Sequence, residues 1–377
     1  MNSMRWIILV SLILTLASSR ASVLDDTNFF PLAVWVQQPK NADKFKAAGI
    51  NLYVGLWRGP TAEQIEALEK AEMPVICHQN EFGLEQKKNP IIVAWMHGDE
   101  PDNAQPLKEG KGWGPPILPS KIQADYEKIR AADPSRPVFL NLGQGVAWDN
   151  YIGRGVRRNK PEDYPEYVKG ADIVSFDIYP VVHDHKDVAG KLEFVANGVK
   201  RLRQWAGANK KVWNCIECTH ISNPDAKASP DQIRSEVWMS LIHGSRGIIY
   251  FVHQFKPTFI EAALLQDPEN LAAVTRINAQ IKELAPVLNS PTIEREIKIT
   301  SEVPIATMLK QVGGTNYLFT VGMENRPGEA TINFRELSGV SNVELIGESR
   351  KVAVSNGEFR DRYKPYEVHL YKFRAGK

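Results

Sequence analysis

The 377-residue chain has little cysteine, no glycine-rich phosphate loop and almost no net charge, and each shortage excludes something. Its three cysteines, Cys77, Cys215 and Cys218, are too few to staple a protein this long, so a disulfide scaffold is excluded. Cys215 and Cys218 form a lone C-x-x-C inside the strand-like run VWNCIECTH. Zinc would need two more ligands there and a redox pair would need a helix start, so buried thiols are expected; a bridge to Cys77 stays open. With 46 Lys+Arg against 44 Asp+Glu, the net charge of +2 leaves no electrostatic footprint for nucleic acid or an anionic membrane. No G-x-S-x-G elbow occurs, which argues against an esterase of the α/β-hydrolase type. Long apolar runs are also absent. The run 6–17, preceded by Arg5 and followed by Ser19-Arg20-Ala21, is too short to span a bilayer and has a small-x-small cleavage pattern. Residues 1–22 are therefore expected to be a secretory signal, with a secreted or periplasmic destination and no other membrane contact. An uncleaved anchor is the alternative.

What is present is a regular alternation. Strand-like segments at 31–37, 51–56, 74–79, 91–96, 137–142, 172–179, 211–217 and 247–253 are interleaved with helical ones at 41–48, 61–72, 120–132, 191–206, 229–243 and 269–288. Thr61 and Ser229 supply N-caps, and Pro230 suits a first helical turn. Eight strands alternating with helical segments over about 260 residues are what a (β/α)8 barrel requires. A doubly wound sheet would alternate too, but the VQQPKN after the first strand is nothing like a phosphate loop. Past Pro291 the pattern changes to short alternating runs (IKITSEV, TNYLFTVGM, EATINF, NVELIG, YEVHLYKF) separated by Gly, Pro and Asn. The expected division is a barrel over 23–291 and a small antiparallel, sandwich-like β-domain over 292–377, packed rigidly because no Ser/Gly linker joins them.

Function should lie at the carboxyl ends of the barrel strands. There the fourth strand runs into HGDEPD, 97–102, where three carboxylates, a glycine and a proline follow a buried apolar run. The seventh ends at Glu217. Parity along each strand sorts side chains into helix-facing and lumen-facing sets. It assigns Trp35 and Gln37 to the lumen from the first strand and Tyr53, Gly55 and Trp57 from the second. It assigns Asn141 and Gly143 from the fifth, and Ser175, Asp177 and Tyr179 from the sixth. Glu100 shares parity with Met96, and Glu217 with Cys215 and Trp213. Two carboxylates facing each other across the lumen are what cleavage of a glycosidic bond needs: one protonates the departing oxygen, the other attacks or activates water.

Glutamates ending strands four and seven, with a β-domain after the eighth helix, resemble clan A of the glycoside hydrolases. The resemblance implies Glu100 as acid/base, Glu217 as nucleophile, retention of configuration and Tyr179 beside the nucleophile. It covers the layout of the barrel rather than long identical stretches. Where the clan commonly has Asn before its acid/base glutamate, this chain has Asp99, which alters the contact to the sugar 2-hydroxyl. Trp35, Gln37, Trp57, Asp99, Asn141, Asp177, Tyr179 and His253 are the expected carbohydrate contacts, with no cofactor and no metal. Two alternatives stand beside this reading. One is a carbohydrate-binding barrel without turnover. The other is a metal-dependent barrel hydrolase built on His183-Asp184-His185, disfavoured because the first strand has no histidine. His78, His97 and His220 also fall near strand ends, whereas His243 and His369 look structural.

Overall fold

The computed structural model describes residues 22–107, 110–151 and 160–374. The expected signal segment, but for Ser22, lies outside them. The barrel strands are β1 (Leu32–Trp35), β2 (Leu52–Val54), β3 (Val75–His78), β4 (Ile92–Met96), β5 (Val138–Leu142), β6 (Ile173–Phe176), β7 (Lys211–Val212), β8 (Asn214–Glu217) and β9 (Ile248–Phe251). All pair in parallel, each with its neighbour in sequence, and β1 closes onto β9. β7 and β8 are two halves of one stave: β7 pairs with β6 and β8 with β9, and between them the Trp213 amide still bonds Val174 O at 2.9 Å. A Cβ at Gly247 would come within 2.5 Å of the Trp213 indole, so glycine makes room for the large ring at that break. Eight staves result, as expected.

Eight helices cover them: α1 (Ala42–Ala47), α2 (Ala62–Lys70), α3 (Glu81–Glu85), α4 (Pro119–Ala132), α5 (Tyr164–Val168), α6 (Glu193–Ala206), α7 (Pro230–His243) and α8 (Pro268–Asn289). The two short ones, α3 and α5, carry too little periodicity to be read from sequence. Thr61 and Ser229 cap α2 and α7 through full capping boxes with Gln64 and Gln232. Gly244, in the left-handed region, ends α7.

Two layers of core follow from strand parity. Leu32, Val34, Leu140, Val174, Phe176 and Ile216 face the helices, while Ala33, Trp35, Ala94, Met96, Phe139, Trp213 and Cys215 fill the lumen. The second strand reverses the expectation: Leu52 and Val54 point inward and Tyr53 outward, against Phe45 of α1. Register explains this, because Leu52 pairs with inward Ala33 and Tyr53 with outward Val34. A parallel strand is apolar on both faces, so its own residues do not say which is which.

The β-domain has a three-stranded and a five-stranded antiparallel sheet packed over Leu309, Leu318, Ile332, Phe359 and Tyr371. It contains β10 (Lys298–Ser301), β11 (Ile305–Val312), β12 (Thr315–Gly322), β13 (Gly328–Asn333), β14 (Asn342–Leu345), β15 (Lys351–Ala353), β16 (Glu358–Tyr363) and β17 (Val368–Arg374). The outer face of the larger sheet docks on α7. Trp238 meets Phe319 at 5.1 Å between ring centroids, and Ser235 Oγ donates to Tyr366 O at 2.7 Å. Both rings are fully buried, so truncating either would cost about 3–5 kcal/mol. The two domains thus share one continuous core.

Candidate active site

The carboxyl ends of the staves surround a cavity of about 870 Å³. Trp35, Trp57, Phe251, Phe255 and Phe259 give it aromatic walls, and Arg58, His78, Asp99, His253 and Glu261 add polar edges. Trp57 is 65% exposed and Phe259 59%, so both present ring surface to solvent. His253, Phe255 and Phe259 stack in a row, with His253 and Phe255 6.0 Å apart at an interplanar angle of 4°. Aromatic faces of this kind suit the C–H faces of sugar rings.

Backbone strain gathers at the same rim. Val36, Arg58, Glu100 and Ile221 all have φ between +40° and +53°, a region costly for residues with a Cβ and worst for the β-branched pair. At Val36 the strain reverses the alternation: Val36 lines the cavity, and Gln37, expected to point into it, is tucked beneath with its Nε2 on Glu261 O at 2.8 Å. Gln37 Oε1 and His253 Nδ1 are buried and have no hydrogen-bond partner among the described residues, which leaves two acceptors free beside the cavity. Burial pushes the His253 imidazole down to about 4, so it is neutral at pH 7.

Four carboxylates cluster on the fourth-to-sixth-stave side. Asn141 Nδ2 donates to Asp99 Oδ1 at 3.0 Å and to Asp177 Oδ2 at 3.3 Å. Asp177 is hydrogen-bonded to Glu100, and burial first, then the charges of Glu100 and Asp99, hold its pKa well above the usual carboxylate range. Glu100 Oε2 also accepts from Asn103 Nδ2 at 3.0 Å, and its backbone amide bonds Asn141 O at 3.2 Å. A Cβ on Gly143 would sit 2.8 Å from Glu100 Oε1, so only glycine lets that carboxylate approach the fifth stave. Asp102 accepts from the Gly143 amide at 2.9 Å and from Tyr164 OH at 2.9 Å, and burial pushes it up to about 6. Within HGDEPD it is Asp99 whose side chain borders the cavity; Glu100 is half-buried beside Asp177.

Glu217 departs from its expected place. It ends the seventh stave in register with inward-facing Phe251, yet it is fully buried and does not line the cavity. Its two carboxylate oxygens accept from the amides of Val181 at 2.7 Å and Val182 at 2.9 Å, and the buried carboxyl of Glu236 from α7 lies beside it. Two free N–H groups at the end of the sixth stave draw the terminal side chain sideways, toward the helix layer. Burial raises the pKa of both glutamates, Glu236 well above its ordinary value. The expectation that Glu217 faces Glu100 across an open lumen is thereby corrected.

The other residues fall as follows. Asp99, Asn141, Asp177 and Glu100 come together; Trp35, Trp57 and His253 line the cavity opposite them. Tyr179 packs on Phe251 at 5.1 Å. His183 Nε2 donates to Gln144 Oε1 at 2.8 Å and the ring meets Trp148 edge-on, and no metal-holding group of three His, Cys, Asp or Glu exists among the described residues. His97 is turned outward to Gly170 O and His220 to Ala226 O. All three cysteines are buried and free, so Cys77 bridges neither of the others. Phe255, Phe259, Glu261, Arg58 and Asp102 were not foreseen. The signal for the first three was the aromatic loop FKPTFIE directly after the last stave.

No family model and no curated protein matches the chain. Solved structures do. An α-amylase from Anoxybacillus aligns over 93% of this chain and 99% of its own at 9% identity, with a TM-score of 0.54. A GH42 β-galactosidase from G. stearothermophilus aligns over 92% and 98% at 8% identity, TM-score 0.55. A family 39 glycoside hydrolase from Bacteroides cellulosilyticus WH2 aligns over 92% and 82% at 12% identity, TM-score 0.52. Such likeness defines the architecture: a (β/α)8 barrel followed by an all-β domain.

Proposed function

We propose that the chain is a glycoside hydrolase that cleaves an O-glycosidic bond of an oligo- or polysaccharide bound in the aromatic cavity. The observation that carries this reading is the Asp99–Glu100–Asp177 cluster around Asn141, set at the strand ends of a barrel beside stacked, exposed aromatic rings. The glycosidase neighbours of the same fold support it. Glu100 acts as acid/base: its carboxyl proton passes to the departing oxygen as the C1–O bond breaks. In the retaining route Glu217 attacks C1, forming a glycosyl ester that water then hydrolyses with Glu100 as base. That route requires Glu217 to leave the Val181 and Val182 amides when sugar binds. Asp99, at the position next to the acid and on the cavity wall, would take sugar hydroxyls. Export, read from the N-terminal segment, would place this activity outside the cytoplasm.

The engagement of Glu217 favours a second reading, a carbohydrate-binding barrel without turnover. Aryl glycosides and oligosaccharides offered to the wild type, Glu100→Gln and Glu217→Gln separate the two. Hydrolysis lost in both variants, with a 2-fluoro-glycoside label on Glu217, supports the retaining enzyme. Glycan binding with no cleavage by the wild type sinks it.

A further inference from the structure

The face of the barrel opposite the mouth holds a second built feature. Three helices end there: α6 at Ala206, α7 at His243 and α8 at Asn289. Beside their carbonyl ends lies a cavity of about 140 Å³, into which Arg203, Lys210, Arg246 and Lys310 converge, with Ser245 alongside and no carboxylate in the lining. Lys310, from β11, forms its deepest part at 1% exposure, and Arg203 stands exposed at the entrance.

Among the described residues, every hydrogen bond these four side chains donate goes to a backbone carbonyl. Lys310 donates to Leu288 O and Ser290 O, Arg246 to Leu288 O, Arg203 to His243 O and Lys210 to Ala171 O. Among the described residues none forms an ion pair with a carboxylate. The nearest acids act only at longer range, Asp172 on Lys210 and Glu294 on Lys310.

Helix ends are an obvious structural reason for cations here, since each C-terminus carries about −0.5 charge. Three such ends amount to about −1.5 and do not neutralise four cations. The remainder is felt within the cluster. Burial and the charges of Arg246 and Arg203 push Lys310 down to about 7, and Arg203 also lowers Arg246.

We propose that this cavity binds a small divalent oxyanion of the phosphate or sulfate class, held by Arg203, Lys210, Arg246 and Lys310. Arginine forks and ammonium groups converging from two helices' ends, a stave entry and the β-domain are the donor set such an ion takes. Bound there, it joins β11 to the base of the barrel. The volume admits a bare tetrahedral oxyanion and not a sugar ester.

The test is thermal unfolding and calorimetric titration of the whole protein with sodium phosphate or sodium sulfate, ionic strength held constant with chloride. A saturable calorimetric isotherm is expected, with a Tm that keeps rising with the logarithm of ligand concentration. Arg203→Gln, at an exposed position, should weaken binding about tenfold or more. Arg201→Gln, whose guanidinium pairs with Asp149 instead, should leave it unchanged. No saturable response above matched chloride, or equal weakening in both variants, overturns the site. Glucose 6-phosphate binding as tightly as phosphate overturns the bare-oxyanion assignment.

Discussion

Two pairs of acids sit within the same barrel rim, and they are opposites. Glu100 and Asp177 meet near the mouth, half-buried, with Asn141 and Asn103 around them and Asp99 between them and the cavity. Glu217 and Glu236 meet inside the wall, both fully buried, with two backbone amides on Glu217 and no hydrogen-bond partner for the Glu236 carboxyl among the described residues. Burial raises the carboxyl pKa of Asp177 in the first pair and of both glutamates in the second, because it penalises the charged form. Only the first pair adjoins a residue, Asp99, that borders the cavity. A raised carboxyl pKa therefore marks an environment, and access decides whether it is chemistry or architecture.

Four experiments would break or sharpen the contrast. The largest expected effect is on Glu100→Gln, which should lower kcat/KM by about 10²–10⁴-fold, the worth of a positioned general acid. Thermal unfolding of that variant should not fall, since it relieves a carboxyl–carboxyl contact; a matching loss of Tm would make Glu100 structural instead.

Next comes Glu217→Ala, which strands the Val181 and Val182 amides and the Glu236 carboxyl. Chemical denaturation should show a loss of about 1–3 kcal/mol for the unmet donors. An unchanged stability would mean that the amides find other partners and that the wall pair is dispensable.

The third is a pH dependence. Glu217 is pushed up to about 7 in the folded protein, against an ordinary value of 4.5. A raised carboxyl favours the folded state fully below the unfolded value, and that stability is lost as pH rises toward the folded value. Stability should thus decline between about pH 4.5 and 7, on the order of 2–3 kcal/mol from this group. Glu236→Gln removes one of the two acids and should flatten the decline; an identical slope in wild type and variant would dissociate the pair from it.

The smallest is Trp57→Ala at the exposed rim. Lost stacking should raise the KM or Kd for an oligosaccharide about tenfold, roughly 1.4 kcal/mol, with Tm nearly unchanged. If Phe259→Ala behaves alike, the aromatic row is a sugar platform; no change in either would move the ligand elsewhere in the cavity.

Much of this was readable beforehand. Eight strands alternating with helical segments set the barrel, because period-2 and period-3.6 patterns are local and some helices bring their own caps, such as Ser229 with Gln232. The change of pattern after Pro291 announced the β-domain. Lumen-facing Trp35, Asn141, Asp177 and Tyr179 followed from parity where one face of a strand was more polar than the other. Parity failed where both faces are apolar, as at Tyr53, and where strand geometry stops, as at Gln37 and Glu217.

Glu217 shows the division most clearly. Its position at the end of the seventh stave was determined by the sequence alone, since the run Lys211–Glu217 is extended and ends at the rim. Its direction was decided by groups distant in sequence, the amides of Val181 and Val182 and the carboxyl of Glu236, which a side chain with three rotatable bonds reaches once the stave no longer holds it. The same holds for Arg203, Lys210, Arg246 and Lys310, spread over a hundred residues and gathered only because helix ends and a β-strand meet at the barrel's base. Local pattern determines where the chain extends or coils; which charges become neighbours depends on closure of the barrel and docking of the second domain.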